Sequence, residues 1–184
     1  MQTNDQIVLA QVLEERKRNT APELTDADFF ERFVAEQVLK DYDNSNDEID
    51  EGIVGSTGDG GIDSLHTFIN GELLHEDSDL SLFKGDISIS VHIVQAKRAP
   101  GFSEETIHKF RASAEDLFDL SKELSSFAGV YNQDLLSLVS KFREAHNKFA
   151  GKLPALSFYF YYVTTGTEVH PNVQRQVVTL KSAI

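Results

Sequence analysis

The sequence predicts an α/β domain in which a small sheet with a hairpin is flanked by helices, and three observations support this prediction. Several stretches carry apolar residues at helical spacing. The dipeptide Asn70-Gly71 separates two apolar runs, which is a strong signal of a tight β-hairpin. Residues 156–164 are apolar and aromatic almost throughout, as in a buried strand. Because helical stretches precede and follow the predicted strands, we expect helices to pack on the sheet in two or three layers.

Two helices are predicted before the sheet. The first covers residues 5–18, and its expected buried stripe consists of Ile7, Val8, Val12 and Leu13. The second begins at Thr25, a helix-capping residue that is followed by acids in the first turn, and extends to about Lys40. Its expected buried residues are Phe30, Phe33, Val34 and either Gln37 or Val38. The acidic residues 41–51 that follow are interpreted as a solvated loop.

Four strands are predicted next. Residues 62–69 form the first strand, and the hairpin turn returns the chain into a second strand that begins at Glu72. Residues 87–96 form the third strand, and residues 156–164 form the fourth. We expect the fourth strand to be central and covered on both faces, because it lacks the alternation of apolar and polar residues.

Two further helices separate the third and fourth strands. Ser103, which is followed by two glutamates, predicts the beginning of a helix that reaches about Leu124. The next helix begins after a break at residues 129–132 and ends at Gly151. Its apolar side consists of Leu135, Val139, Phe142 and Phe149.

Length and composition are those expected of one soluble domain. The 184 residues, of which 40% are hydrophobic, suffice for a single α/β core, so we assign residues 1–184 to one domain. The chain has no cysteine, which excludes disulfides, thiolate zinc sites and a thiol nucleophile. It shows no signal peptide and no apolar run that could span a bilayer, so we expect a cytoplasmic protein without membrane contact. No stop signal follows residues 177–184, and the chain is therefore also considered as the N-terminal part of a longer protein.

The charge of the chain restricts how it would contact nucleic acid. Its formal net charge is -13, from 17 basic and 30 acidic residues. Because lysine and arginine supply most non-specific affinity for phosphate backbones, a general basic surface is excluded. We expect any contact with nucleic acid to be local, or to be aided by another domain or by a second copy of the chain in a homo-oligomer.

Polar residues lie at the ends of two predicted strands. Asp63 follows the glycine-rich segment 55–61 at the beginning of the first strand. In the third strand, alternation places Gln95 and Lys97 on the same face as the preceding isoleucines and valine, so this polar pair ends an apolar stripe. Lysine seldom occupies such a position without a specific role. Since the ends of neighbouring strands can converge, these residues predict a site.

These residue types fit phosphodiester hydrolysis. The reaction needs an activated water and a way to hold charge on the phosphate, which oxygen ligands provide by fixing Mg²⁺ or Mn²⁺. The candidate ligands are the carboxylate of Asp63, the amide oxygen of Gln95 and the backbone carbonyl of Ala96. Lys97 is the candidate for orienting the water or stabilising the developing negative charge. Glu31 completes the candidate metal and catalytic residues, provided that its helix packs against the strands.

The segments around these residues resemble a known nuclease core. Asp63 with Gln95-Ala96-Lys97 resembles the PD-(D/E)xK motif in its variant with glutamine in place of the middle acid, as in Mrr-like restriction endonucleases. Residues 30–35 resemble the helix that precedes the motif in those enzymes. The whole layout is most similar to the N-terminal part of AIPR proteins, a family linked to abortive infection and phage resistance, and the similarity covers most of the chain.

This resemblance implies a restriction-endonuclease-like core with a central mixed sheet. It also implies cleavage of nucleic acid that depends on Mg²⁺ or Mn²⁺, with DNA as the expected substrate. By the same resemblance, Asp63, Gln95 and Lys97 are active-site positions, and Glu31 is the acid contributed by the helix. Gln95 departs from the commoner pattern, because it removes one negative charge from the metal site.

Other interpretations of the motif stay open. Asp63 could be a turn residue after the glycines, and Lys97 could extend from a strand end into solvent. The alternative function is a catalytically degenerate nuclease-like fold that acts as a protein-interaction or sensor module. A phosphate-binding loop at residues 55–61 is disfavoured, because the lysine and the serine or threonine that such a loop requires are missing.

The histidines and tyrosines near these strands are expected to have packing roles. His66 and His92 lie on the strand faces opposite Asp63 and Lys97, so packing is favoured over metal binding. The tyrosines of the fourth strand are expected in the core or at the sheet edge rather than as a platform for stacking bases. They are Tyr159, Tyr161 and Tyr162.

Overall fold

The computed structural model of the protein describes residues 2–55 and 57–181, and its centre is a sheet of four strands. The strands are β1 (Ser64–Ile69), β2 (Glu72–Leu73), β3 (Ser88–Lys97) and β4 (Ala155–Thr164), in the order β2-β1-β3-β4. β1 is antiparallel to both β2 and β3, whereas β4 is parallel to β3. The sheet is therefore mixed, and the predicted α/β class is confirmed.

Six helices in the described residues cover the two faces of the sheet. They are α1 (Asn4–Thr20), α2 (Asp26–Val38), α3 (Asn46–Asp50), α4 (Glu104–Leu117), α5 (Gln133–Phe149) and α6 (Pro171–Lys181). Ile93 of β3 belongs to the main core with α4, α5 and α6, while its neighbour Val94 packs on the opposite side with α1 and α2. The fold thus has three layers, as alternation along a strand covered on both faces requires. None of the described helices is long and apolar enough to cross a membrane.

The hairpin between β1 and β2 is confirmed. Ile69 pairs with Glu72, so the turn consists of Asn70 and Gly71 alone. Their φ angles are 53° and 88°, both in the left-handed region that a type I′ turn requires. Asn and Gly are the residues that adopt this region at least cost, which explains why the turn was predictable.

The buried stripe predicted for the first helix is wrong. Leu13 is the only residue of α1 that is buried, whereas Ile7, Val8 and Val12 are 44%, 56% and 38% exposed. α1 lies at the periphery and reaches the cluster formed with α2 mainly through Leu13, with Leu9 partly covered. Its ends are nevertheless well defined, because Thr3 and Gln6 form a reciprocal capping box.

The second helix is confirmed, with a shifted buried face. The Thr25 side chain accepts a hydrogen bond from the Asp28 amide at 3.2 Å, as the predicted cap requires. The buried residues of α2 are Phe29, Phe30, Val34 and Ala35. Phe33 and Val38 are only half-buried, and Gln37 is exposed.

Two boundaries differ from the predictions. The acidic stretch contains α3, which a capping box between Ser45 and Glu48 begins and whose Ile49 is buried, so it is only partly a loop. The helix that begins after Ser103 ends at Leu117, and residues 124–127 form a separate 3₁₀ turn. In α5 the predicted apolar side is confirmed, since Leu135, Val139, Phe142 and Phe149 are all buried.

The expectation that the last strand is central is wrong. Within the described part of the chain, β4 pairs only with β3 and forms the edge of the sheet. Its side chains alternate between exposed and half-buried at the beginning of the strand, and Tyr159 is 46% exposed. The aromatic run packs on both faces. On one face, Phe158 and Phe160 contact the ring of Phe118. On the other face, Tyr159 and Tyr161 stack on the ring of His92. The tyrosines accordingly lie at the sheet edge.

His66 and His92 are core residues, as expected. Nε2 of His66 lies 2.9 Å from the carbonyl oxygen of Ile49. His92 lies between two tyrosines, with its ring nitrogens 3.1 Å from the hydroxyl groups of Tyr42 and Tyr161. Burial lowers the pKa of each histidine to about 4, since a charged imidazole would lose its hydration.

These histidines predict a loss of stability in acid. The unfolded chain binds a proton at each near pH 6.5, whereas the folded chain binds it only near pH 4, so the stability present above pH 6.5 falls as the pH decreases through this interval. At pH 5 we expect each histidine to lower the free energy of unfolding by about 1–2 kcal/mol relative to pH 7.5. Urea unfolding of the natural protein and of His92→Gln at both pH values measures the effect of one histidine.

The exposed His108 provides the control for this prediction. His108→Gln is expected to keep the full pH dependence of the natural protein, whereas His92→Gln should lose part of it. Equal pH dependence in all three proteins would show that folding does not change the pKa of His92.

Candidate active site

Asp63 is fixed across two strands at the beginning of β1. Its amide donates to the carbonyl oxygen of Val94 at 2.8 Å, and its side chain is only 5% exposed. The carboxylate oxygen Oδ2 accepts hydrogen bonds from the Ala96 amide, at 2.6 Å, and from Nε2 of Gln95. These contacts tie the carboxylate to the end of β3, so Asp63 is more than a turn residue. Oδ1 takes neither of these two bonds.

Gln95 orients Asp63 through its amide nitrogen and directs its amide oxygen elsewhere. The oxygen lies near Gly61, where an added Cβ would come within 3.3 Å of it. The Ala96 amide points to the side of β3 where β1 lies, since it donates to the Asp63 carboxylate. In a strand the N–H and C=O groups of one residue point to the same side, so the Ala96 carbonyl also points toward β1. Both candidate oxygen donors of the Gln-Ala pair therefore lie near the Asp63 carboxylate.

Lys97 is the last residue of β3 and is half-buried. The positive charge of Lys97 lies close enough to Asp63 to offset part of the rise in the pKa of that carboxyl that burial causes. After the larger effect of Lys109, the Lys97 charge also contributes to the lowered pKa of Glu105 in α4. Arg98 extends to the other side of the sheet and contacts Asp26 at 2.5 Å. The expected alternation at this strand end is therefore confirmed: Lys97 lies on the side of Asp63, and Arg98 lies on the side of Asp26.

Glu31 of α2 interacts with the acids of the site through their charges. Burial raises its pKa to about 7, and the negative charges of Asp63, Asp28 and Asp59 add to the increase. Burial also raises the pKa of Asp63 to about 6; the Ala96 amide offsets part of this rise, while Asp59 adds to it. The structure thus places Glu31 near enough to Asp63 for the Asp63 charge to disfavour ionisation of Glu31.

Asp59 was not among the candidates from the sequence. Its side chain accepts a hydrogen bond from the Gly61 amide at 2.7 Å, which folds the glycine-rich segment back toward Asp63. An acid between glycines, four residues before the predicted ligand, was the available signal. Turn chemistry explained it equally well, because Asp commonly bonds to the amide two residues later.

The glycine-rich segment is held against α4 and the beginning of α5. Ser113 donates its hydroxyl to the carbonyl oxygen of Gly60 at 2.7 Å, and the Asn132 amide donates to that of Gly58 at 2.8 Å. Gly60 has a φ of +63°, and a Cβ there would lie 2.5 Å from the Ser113 hydroxyl oxygen. A strand follows the segment, so it is not a phosphate loop, which would open a helix.

The donor set fits a hard divalent cation with few protein ligands. The described residues contain no group of three His, Cys, Asp or Glu side chains that could hold a metal by themselves. Asp63, Gln95, Ala96 and Glu31 instead offer two carboxylates, an amide oxygen and a backbone carbonyl. Mg²⁺ often binds through one or two carboxylates and keeps several waters, so these residues fit it better than a metal that requires a complete protein cage. Two neighbouring acids with raised pKa values are also the electrostatic setting that a cation relieves.

Comparison with known proteins does not assign the chain to a family. No protein-family model, no curated protein and no solved structure matches the chain. The function is therefore argued from the geometry of the site.

Proposed function

We propose that the protein is a metal-dependent nuclease of the PD-(D/E)xK type, with DNA as its substrate, acting in phage defence or restriction. The observation that supports this proposal is the contact of Asp63, at the beginning of β1, with Gln95 and Ala96, at the end of β3, next to Lys97. The strand arrangement also agrees with the proposed core, because an antiparallel pair carries the motif and a parallel strand follows after two helices. We further propose a cytoplasmic location.

Each residue has a distinct task in the proposed reaction. Asp63, Glu31, the Gln95 amide oxygen and the Ala96 carbonyl would hold Mg²⁺ or Mn²⁺, which supplies positive charge to the phosphate and to the attacking water. Asp63 is preoriented because Gln95 and Ala96 hold its Oδ2. Lys97 stabilises the negative charge that grows on the phosphate. Without metal, burial raises the pKa of Glu31 to about 7, so binding of the cation would release a proton from Glu31 near neutral pH.

Cleavage assays test the proposal directly. The protein is incubated with supercoiled plasmid, single-stranded DNA and RNA in Mg²⁺, in Mn²⁺ and in EDTA. We expect cleavage of DNA in either metal and none in EDTA. If only RNA is cleaved, the assigned substrate must change from DNA to RNA. Cleavage that persists in EDTA would exclude the proposed metal-dependent chemistry.

The acidic surface predicts weak binding of nucleic acid by this chain alone. With 17 basic against 30 acidic residues, few phosphates can be neutralised, so affinity should be poor near physiological salt and should improve in a longer protein or an oligomer. A salt titration with labelled DNA measures this. Tight binding that persists in high salt would contradict this prediction, because it would require the basic residues to be concentrated in one patch of the surface.

A protein-interaction or sensor module with a degenerate site is the second candidate function. It is favoured by one observation, namely that the described residues include no cluster of three acids or histidines able to hold a metal. Replacement of the middle acid by Gln95 has the same implication. Metal binding separates the two candidates, because the module predicts none and the nuclease requires it.

A further inference from the structure

Two cations from separate elements converge on one exposed carboxylate beside the candidate active site. Lys17, in the last turn of α1, places Nζ 2.6 Å from Oδ1 of Asp26, and Arg98 places Nη1 2.5 Å from Oδ2. The Asp26 side chain is 64% exposed, so this group of three, the Asp26 clamp, opens to solvent. The three residues link α1, α2 and the end of β3, although exposed ion pairs of this kind contribute little to stability.

The clamp and the candidate active site lie at the same end of β3, with Lys97 and Arg98 on opposite faces of the sheet. Arg98 directly follows Lys97, and α2 carries Asp26 in its first turn and Glu31 further along. Because side chains alternate along a strand, Lys97 faces Asp63 while Arg98 faces α1 and α2. A strand of nucleic acid with one phosphate at Lys97 would therefore have to pass around the end of β3 to bring a different phosphate to the clamp.

Two open clefts meet at Arg98. One, of about 530 Å³, is lined by the second half of α1, the beginning of α2 and Arg98, and the other, of about 540 Å³, by the first half of α1, Arg98, Pro100 and Thr165. Their lining residues include three cations, Lys17, Arg18 and Arg98, and two acids, Glu14 and Asp26. This local balance is positive in a chain with a net charge of -13, as a local contact with a phosphate backbone requires.

We propose that Lys17 and Arg98 bind a backbone phosphate of the substrate other than the one that is cleaved, and that Asp26 occupies this phosphate site when nucleic acid is absent. The inference rests on the proposed function, since it assigns the path of the substrate at the same site. A phosphodiester presents anionic oxygens that can replace the Asp26 carboxylate between the two cations. Asp26 then acts as an internal competitor, and its removal should strengthen binding.

The test compares charge changes with opposite expected signs. Binding of a fluorescein-labelled single-stranded DNA is measured by anisotropy in EDTA, which stops metal-dependent cleavage, at about 50 mM salt. Lys17→Ala and Arg98→Ala should each raise Kd about fivefold and lower the salt dependence by about one phosphate contact. Asp26→Asn should lower Kd by a similar factor. A mere surface salt bridge predicts no gain from Asp26→Asn.

The exposed ion pair of Arg111 and Glu115 on α4 provides matched controls. Arg111→Ala and Glu115→Gln change the net charge by the same amounts and should shift Kd less than twofold. The inference is overturned if Arg98→Ala matches Arg111→Ala, if Asp26→Asn fails to exceed Glu115→Gln, or if the natural protein binds no DNA at this salt.

Cleavage in Mg²⁺, measured in parallel, separates the two proposals. Changed Kd values without any cleavage by the natural protein support the clamp and contradict the nuclease. Cleavage with Kd and KM unaffected by the clamp variants contradicts the clamp and leaves the nuclease intact.

Discussion

Lys97→Ala is expected to reduce the rate of DNA cleavage by about 100-fold to 1,000-fold, because it removes a positive charge aimed at the phosphate in the transition state. Fold and metal binding should be retained, since Lys97 lies at the end of β3 and is only half-buried. Single-turnover cleavage rates measure the loss, and circular dichroism with calorimetric metal titration checks the fold and the site.

Lys84→Ala is the matched control, because Lys84 is an exposed lysine outside the helices and strands. It should cleave at the natural rate. Arg98 is not expected to compensate in Lys97→Ala, since its side chain is held on the other side of the sheet by Asp26. Cleavage by Lys97→Ala at the natural rate would show that residues other than Lys97 carry the chemistry.

Asp63→Ala is expected to abolish Mg²⁺ and Mn²⁺ binding, because Asp63 is the buried carboxylate at the centre of the donor set. Isothermal titration calorimetry measures the loss. Asp63→Asn is the companion variant, since its side-chain oxygen can still accept from the Ala96 amide while the charge is removed. Metal binding that is unchanged in Asp63→Ala would refute the assignment of the site.

Asp63→Asn should also make the protein more stable at high pH. The pKa of Asp63 is raised from 3.8 to about 6 mainly by burial, so the ionised group opposes folding above pH 6, and this cost disappears as the pH falls below about 4. At pH 8 we expect the free energy of unfolding to rise by about 1–2 kcal/mol, and near pH 4 to be unchanged or lower. Glu115→Gln, at an exposed acid, should show no comparable gain. A gain in stability on loss of the site is the usual sign of a functional residue that the fold does not need.

The parts of the fold that depend on local chemistry were predictable from the sequence. The Asn70-Gly71 turn, the Thr25 cap and the apolar side of α5 all follow from conformational preference or spacing over a few residues. The missed helix α3 also had a local signal, the capping box of Ser45 and Glu48. Two other errors concern which neighbours an element has. The apolar residues of α1 have spacing that suits burial but little to pack against, and the aromatic run of β4 lies at the edge of the sheet rather than at its centre. Periodicity reports which side chains share a face and not what covers that face.

The candidate site was predictable to a similar extent. Alternation placed Gln95 and Lys97 on one face, and the antiparallel pairing of β1 with β3 brings Asp63 to them. The direction of the Gln95 amide depends on atoms that spacing does not specify. The same holds for Asp59, which enters the site only because the glycine-rich segment folds back on itself.

The pairing of Asp63 with Val94 has a consequence for how the protein matures. The register of β1 on β3 sets Ser64 opposite Val94, and the preceding Asp63 amide donates to the Val94 carbonyl oxygen. A slip of this pairing by one residue would turn Asp63 to the opposite face. A chain trapped in that slipped pairing would keep most of its helices and strands and would lack the site. Recovery of metal binding during refolding would therefore lag behind recovery of helix content, and the ratio of the two signals would report the fraction of molecules in the correct register.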